Sequence, residues 1–406
     1  MSSVATPVVV QFERGTARAR IQSVDILRGA IMMIMAIDHI RDFFSSAAMS
    51  FLPTDLTRTT PALFFTRWIT HFCAPVFMFT AGIGAFLWMR RGRSRPQLSR
   101  FLVTRGLWLI FLEMTILHYF FFLDFFRSPI LMIILWGIGW GMIILAALIY
   151  LPTRLLVVFS ALVIAGHNLL DRFQSAEFGR AAWLWQILHE PGVFQAKGKL
   201  VLVAYTLIPW FAVVALGYAA GRAFLWDPQR RRRFFIRTGI ALTLAFVVLR
   251  GVNVYGDPVP WSHQHSPLFT FLSFLNTTKY PPSLLFLLMT LGPALIVLGL
   301  IERVRLSDAN PFIVFGRVPF FYYALHLALL HAIAILMGFL RYGKAPFLFL
   351  PPPTLGTPRA LFPPDYGYSL WGVYAVWLVV LVVLYPLCLW FSRLKQRRRS
   401  WWLSYL

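Results

Sequence analysis

Two cysteines in 406 residues, Cys73 and Cys388, leave no material for a disulfide framework, and both fall inside apolar segments. Charge is scarce as well. Only 13% of the residues are charged, against 59% apolar and 17% aromatic, which lies far outside the composition of a soluble domain. Acidic residues are scarcer still, 15 against 38 basic, for a formal net charge of +23. Such an excess can mark a nucleic-acid binder, but no aromatic-plus-basic reading surface survives once the apolar runs are set aside. The chain also lacks a small-residue cleavage pattern after Arg14, Arg18 and Arg20, so no removable signal peptide is expected. No internal repeat is visible, and paired halves are the usual mark of a secondary transporter.

What the chain does have is long apolar runs separated by short basic clusters. With about 20 apolar residues per span, ten helices are expected, over 26–46, 68–88, 101–123, 129–150, 153–170, 200–224, 234–251, 282–302, 312–339 and 369–392. The fold class is therefore all-α, polytopic and membrane-embedded. Prolines 75, 209, 293, 319 and 386 fall inside these runs and predict kinks. If the N-terminus is cytoplasmic, every dense Lys/Arg cluster falls on the same side, so both termini are expected in the cytoplasm and the chain in the inner membrane. The expected organisation is a cytoplasmic segment 1–20, a membrane domain 21–392 and a basic tail 393–406.

The first of these helices is the most informative. It reads RIQSVDILRGAIMMIMAIDHIRDFF over 20–44 and carries ionisable groups at both ends of a short aliphatic run. Such groups are expensive in lipid, so one side of the helix must face protein or water. Arg28 and His39 are eleven residues apart, close to three turns, which puts them on one face about 16 Å apart along the axis. Asp25 lies one turn before Arg28. Asp38 precedes Arg41 and Asp42 by three and four residues, spacings at which opposite charges meet on one helix.

The stretch Asp25-Ile-Leu-Arg-Gly29, with ten residues between Arg28 and His39, resembles the Arg-x10-His signature of the membrane acyltransferase superfamily, which includes the bacterial acyltransferase-3 proteins. It is closer to the bacterial membrane proteins grouped with the catalytic domain of heparan-α-glucosaminide N-acetyltransferase. Thr70-His-Phe-Cys-Ala-Pro-Val-Phe77, Asn276-Thr-Thr-Lys-Tyr-Pro-Pro-Ser283 and Phe315-Gly-Arg-Val-Pro-Phe-Phe-Tyr-Tyr323 with His326 carry the same likeness. The resemblance implies transfer of an acyl group, most often acetyl, from cytoplasmic acyl-CoA to a hydroxyl or amine of an extracytoplasmic glycan, amino sugar or lipid-linked acceptor. Acyl-CoA, the acceptor and membrane lipids are the expected partners, with a homodimer left open, and no metal or nucleic acid is expected.

Under that resemblance His39 is the first candidate for a base or transient acyl carrier, because neutral imidazole works near physiological pH. Asp38 and Asp42 either orient it or pair with Arg41. His71 is a second candidate base, since lysosomal relatives place their histidine after the first helix, although its spacing here does not match theirs. Arg28 and Asp25, with Arg41 and Arg317, are assigned to the CoA phosphates, the alternative for Asp25 and Arg28 being a helix-anchoring pair. Asn276, Thr277, Lys279 and Tyr280 enter the eighth helix from the outer side, where free helix N–H groups would meet an anion. Tyr322 and His326 share a face and would close the chamber opposite His39. The rival from another class is a transporter that moves an anionic small molecule through the same basic, histidine-containing chamber.

Overall fold

In a computed structural model of the chain, residues 21–124, 128–353, 357–398 and Leu403 are described. The N-terminal segment 1–20 and Arg399 of the basic tail lie outside the described residues. Fifteen α-helices dominate the described part. In chain order they are α1 (Gln22–Phe44), α2 (Pro61–Thr70), α3 (Cys73–Met89), α4 (Arg95–Leu112), α5 (His118–Phe122), α6 (Ile134–Leu148), α7 (Thr153–Gly166), α8 (Ala182–Leu188), α9 (Trp210–Ala220) and α10 (Pro228–Val252). They continue with α11 (Pro267–Leu275), α12 (Leu284–Leu300), α13 (Pro311–Arg317), α14 (Pro319–Tyr342) and α15 (Leu370–Arg397). A π-helical turn, Glu113–Leu117, joins α4 to α5.

Among the described residues, seven helical segments are long and apolar enough to cross a membrane: Pro61–Met89, Arg95–Phe122, Thr153–Arg172, Pro228–Val252, Leu284–Arg303, Pro319–Tyr342 and Leu370–Arg397. Large apolar side chains such as Leu162, Val248 and Val382 point outward from α7, α10 and α15, as lipid-facing surfaces require. The chain is thus a mostly helical, multi-pass membrane protein.

Helix starts follow local chemistry. Thr60, Ser94, Asp227, Ser283 and Ser369 each cap a helix by accepting a backbone N–H, and Ser94 with Gln97 completes a capping box. Of the five prolines expected to kink spans, only Pro293 and Pro386 sit inside helices. Pro75 and Pro319 lie in the first turn of α3 and α14, and Pro209 precedes α9. Helix starts are where proline's missing N–H is harmless.

Two expected spans begin instead as strands. β1 (Ile130–Met132) pairs in parallel with β3 (Lys199–Val203), and β3 pairs antiparallel with β2 (Gly192–Ala196) across a Lys197–Gly198 turn with positive φ at both positions. Residues 200–209 are therefore not helical, and an otherwise α-helical chain carries one small sheet. A hairpin turn flanked by β-branched residues was its sequence signal, masked by an apolar run that also suits a membrane helix.

α1 lies at the centre, packed among α2, α3, α12, α13, α14 and α15. Its closest seam is with α13. A Cβ at Gly29 would overlap the Phe312 carbonyl, and one at Gly316 would overlap the Asp25 carbonyl, so the two backbones touch where neither has a side chain. Gly316→Val should therefore prevent this seam from closing, with a loss of at least 1–3 kcal/mol on the scale of about what overpacking costs elsewhere. Thermal unfolding in detergent checks this, with Gly84→Ala as the control, because a Cβ at Gly84 meets nothing within 4 Å.

Candidate active site

His39 and His326 meet across α1 and α14. His39 Nδ1 and His326 Nε2 are 2.9 Å apart, and their ring centroids are separated by 4.9 Å. His326 is fully buried, and its Nδ1 lies 3.2 Å from the Tyr322 carbonyl oxygen. A carbonyl only accepts, so His326 Nδ1 must carry a proton. In the neutral ring Nε2 then has a lone pair and accepts the N–H of His39 Nδ1. That leaves Nε2 of His39 unprotonated, the tautomer a general base needs. His39 itself is half-buried. Tyr323 presents an edge to its ring, with centroids 5.8 Å apart.

Tyr322 stacks on His326 with an interplanar angle of 13° and packs against Phe315. Its contribution to the pair is its carbonyl and its ring. Tyr323, not singled out by spacing, is the tyrosine beside His39. It is three positions before His326, about 60° away on an ideal 100° wheel, but which helix comes opposite it needed the three-dimensional packing to be seen.

Asp38 turns to cations on three elements. Arg67 of α2 holds both of its oxygens, at 2.6 Å from Oδ2, while Arg41 Nη2 lies 3.0 Å from Oδ1 and Lys279 Nζ 3.8 Å from Oδ2. Asp42 is paired with Arg41 Nη2 at 3.4 Å. Of the two roles open to these carboxylates, salt-bridge partner is the one the geometry shows. Arg67 is the residue sequence reasoning missed. It was placed in the connection 47–67, whereas α2 begins at Pro61 and carries it into the bundle. A lone arginine in Phe64-Phe65-Thr66-Arg67-Trp68-Ile69 was the available signal.

His71 ends α2 at the break before α3, is 3% exposed and packs its ring 5.4 Å from Phe286. Its Nδ1 has no hydrogen-bond partner among the described residues.

The segment 276–283 reaches the site by Lys279 and by Tyr280, which lies within electrostatic reach of Arg67 and Asp38. Lys279 also lies over the Tyr280 ring at 5.2 Å, and Tyr280 packs edge-on against Tyr205. Asn276 donates to the Thr54 carbonyl at 3.1 Å, and the Thr277 hydroxyl faces Met289 Sδ at 3.8 Å. The expected anion site at the start of the eighth helix is not there. α12 begins at Leu284, and its first N–H groups are taken by Asn168 Oδ1, the Gly256 carbonyl and Ser283 Oγ. The segment is anchored by Asp257, which accepts from Thr278 N, Thr278 Oγ1 and Ser283 Oγ at 2.6–3.0 Å. Arg250, 1% exposed, donates to the carbonyls of Val259, Ser273, Phe274 and Asn276.

The four residues assigned to CoA phosphates divide. Asp25, Arg28 and Arg317 gather at the α1–α13 seam: Arg317 Nη2 lies 2.7 Å from Asp308 Oδ1, its Nε 3.9 Å from Asp25 Oδ2, and Arg28 Nη1 donates to the Gly316 carbonyl at 3.4 Å. Arg41 does not join them. Thirteen residues beyond Arg28, it lies about 20 Å further along the helix, within the Asp38 cluster.

A half-buried imidazole with a defined free nitrogen, next to a cluster of three cations and two carboxylates, can take a proton from a hydroxyl or amine and steady developing negative charge. Compared with known families, residues 20–253 match the one described as heparan-α-glucosaminide N-acetyltransferase, catalytic. The match includes His39, Arg67 and His71 and ends before Lys279 and His326. No curated protein matches the chain.

Proposed function

We propose, for a chain that belongs to the heparan-α-glucosaminide N-acetyltransferase catalytic family, a membrane acyl transfer in which His39 is the base. That family makes the protein a membrane transferase of the acetyltransferase type; the donor, the acceptor and the steps below are our reading. The donor is acyl-CoA, most simply acetyl-CoA, and the acceptor is a hydroxyl or amine of an extracytoplasmic glycan, amino sugar or lipid-linked molecule.

The observation that carries this reading is the His39–His326 hydrogen bond, backed by the Tyr322 carbonyl. His39 Nε2 takes the proton of the acceptor hydroxyl or amine as its oxygen or nitrogen attacks the thioester carbon. The C–S bond then breaks, and the departing CoA thiolate receives the proton from His39. In the covalent variant Nε2 first attacks the thioester carbon and the C–S bond breaks to give an acyl-imidazolium and CoA thiolate. The acceptor oxygen or nitrogen then attacks the acyl carbon, the C–N bond to Nε2 breaks, and the acceptor's proton neutralises the thiolate. Lys279 and Arg67 lie within electrostatic reach of His39 and would balance the negative charge on the thioester oxygen. Arg317, whose Nε and Nη1 have no hydrogen-bond partner among the described residues, is with Arg28 and Asp25 the assigned contact for the CoA phosphates.

For topology, we add α1 and the shorter apolar helices around α6 and α9 to the seven long segments, which gives ten spans with both termini in the cytoplasm of an inner-membrane protein. α1 is 23 residues long, enough to span, and carries Asp25, Arg28, Asp38, Arg41 and Asp42 within an otherwise largely apolar sequence. The transferase domain is 21–392, flanked by 1–20 and 393–406.

The test is CoA release and transfer of labelled acetyl by purified protein in lipid nanodiscs. Time-dependent CoA release supports the proposal; intact acetyl-CoA after prolonged incubation with a broad set of amino-sugar and glycan acceptors sinks it. His326→Phe should lower the rate by about 10–100-fold, because the ring that fixes the His39 tautomer is lost while its volume is kept. His326→Asn, which retains a side-chain acceptor, should recover part of that loss.

A further inference from the structure

We propose that Arg41, with His71 and Lys279, seats an acidic group of the acceptor, a carboxylate or a phosphate, in the same cluster as His39. This rests on the transferase reading above and names the class of acceptor for that site.

Arg41 is 8% exposed, and only its Nη2 is engaged, by Asp38 and Asp42. Its Nε and Nη1 have no hydrogen-bond partner among the described residues. Guanidinium N–H groups withdrawn from water in this way are retained where an anion completes them. His71 Nδ1 is a second donor or acceptor position left open in the same surroundings, within electrostatic reach of Arg67, Lys279, Asp38 and Arg41.

The charges agree with this. Arg41, Arg67 and Lys279 face Asp38 and Asp42, so one positive charge is left over, the complement of a single carboxylate or phosphate monoanion. His39 lies within reach of the same charges. A hexose ring places an acidic substituent and a reacting hydroxyl or amine on separate atoms, so one residue could meet both Arg41 and His39. A water-sized crevice lined by Asp42, Phe43, Met49, Leu348, Leu350 and Phe362 opens beside Asp42.

The test compares matched acceptors with nanodisc-embedded protein and acetyl-CoA: a methyl glucuronide against the methyl glucoside, glucosamine 6-phosphate against glucosamine, and the same sugar phosphate free or carried on a polyprenyl chain. The acidic member of each pair should have a KM about tenfold lower or more, the effect of one charge-assisted hydrogen bond. Arg41→Gln should bring that ratio close to one. The polyprenyl arm separates a soluble acid from a lipid-borne one. Equal KM values within each pair for the wild-type protein, or an Arg41→Gln ratio that stays where it was, would overturn the proposal. Should Arg41→Gln fold poorly, His71→Phe and Lys279→Gln read the same ratio. Binding of methyl glucuronide without acetyl-CoA, followed by thermal shift, is scored separately: Arg41-dependent binding with no acetyl transfer would keep the anion seat and reject the transferase, whereas transfer without acid preference would do the reverse.

Discussion

Replacing His39 with alanine is expected to reduce acetyl transfer by about 10²–10⁴-fold, the range a positioned general base contributes. Stability should fall by only about 1–3 kcal/mol, the cost of leaving the buried His326 Nε2 without its partner. His39 is half-buried and is engaged through Nδ1 alone, whereas the ring it touches, His326, is the fully buried member of the pair. The measurement is CoA release at saturating acetyl-CoA, alongside thermal unfolding of the same sample. His71→Asn is the informative comparison. Its imidazole touches Phe286 and is proposed to seat the acceptor and not to take its proton, so its variant should retain most of the rate once the acceptor is saturating, with the loss in KM. If His71→Asn were silent and His39→Ala active, the base has been misassigned.

The second large effect is expected on stability. Asp38 is the shared anion of Arg67, Arg41 and Lys279, so Asp38→Asn leaves three cations facing the single carboxylate of Asp42. Breaking a buried ion pair from one side costs about 3–5 kcal/mol, because the charges left behind stay desolvated and repel each other. The double variant Asp38→Asn with Arg67→Met should be more stable than Asp38→Asn alone, since it removes the cation most tightly bound to the missing partner. A coupling of that sign in a thermal-unfolding cycle would establish the bridge. A double variant no better than the single would mean that Arg67 holds its place by packing.

Much of this site was legible because ionisable residues stand out in an apolar helix. Asp38, His39, Arg41 and Asp42 were readable from 20–44 alone, and the shared face of Tyr322 and His326 followed from a four-residue spacing. Spacing within one helix says nothing of which helix comes opposite, so the His39–His326 bond and the Arg67–Asp38 bridge needed the packing. Arg67 was lost to an error in where α2 begins, since Thr60-Pro61 is a helix start that the span-length argument overrode. The sheet was hidden for a related reason: a strand such as Lys199–Val203 is as apolar as the opening of a span. Arg41 was grouped with Arg28 on charge alone, although helix rise separates them by about 20 Å.

The contact between Gly29 and Gly316 bears on the rival idea of a carrier. Where two backbones interlock like this, sliding one rod past the other would force a carbonyl through a Cα, so α1 and α13 can only travel as one piece. Alternating access would then have to bend elsewhere, at the Val318–Pro319 joint where α13 hands over to α14. That joint lies about two turns before His326 on α14, so such flexing would shift His326 against His39 and disturb the paired imidazoles on which the chemistry depends.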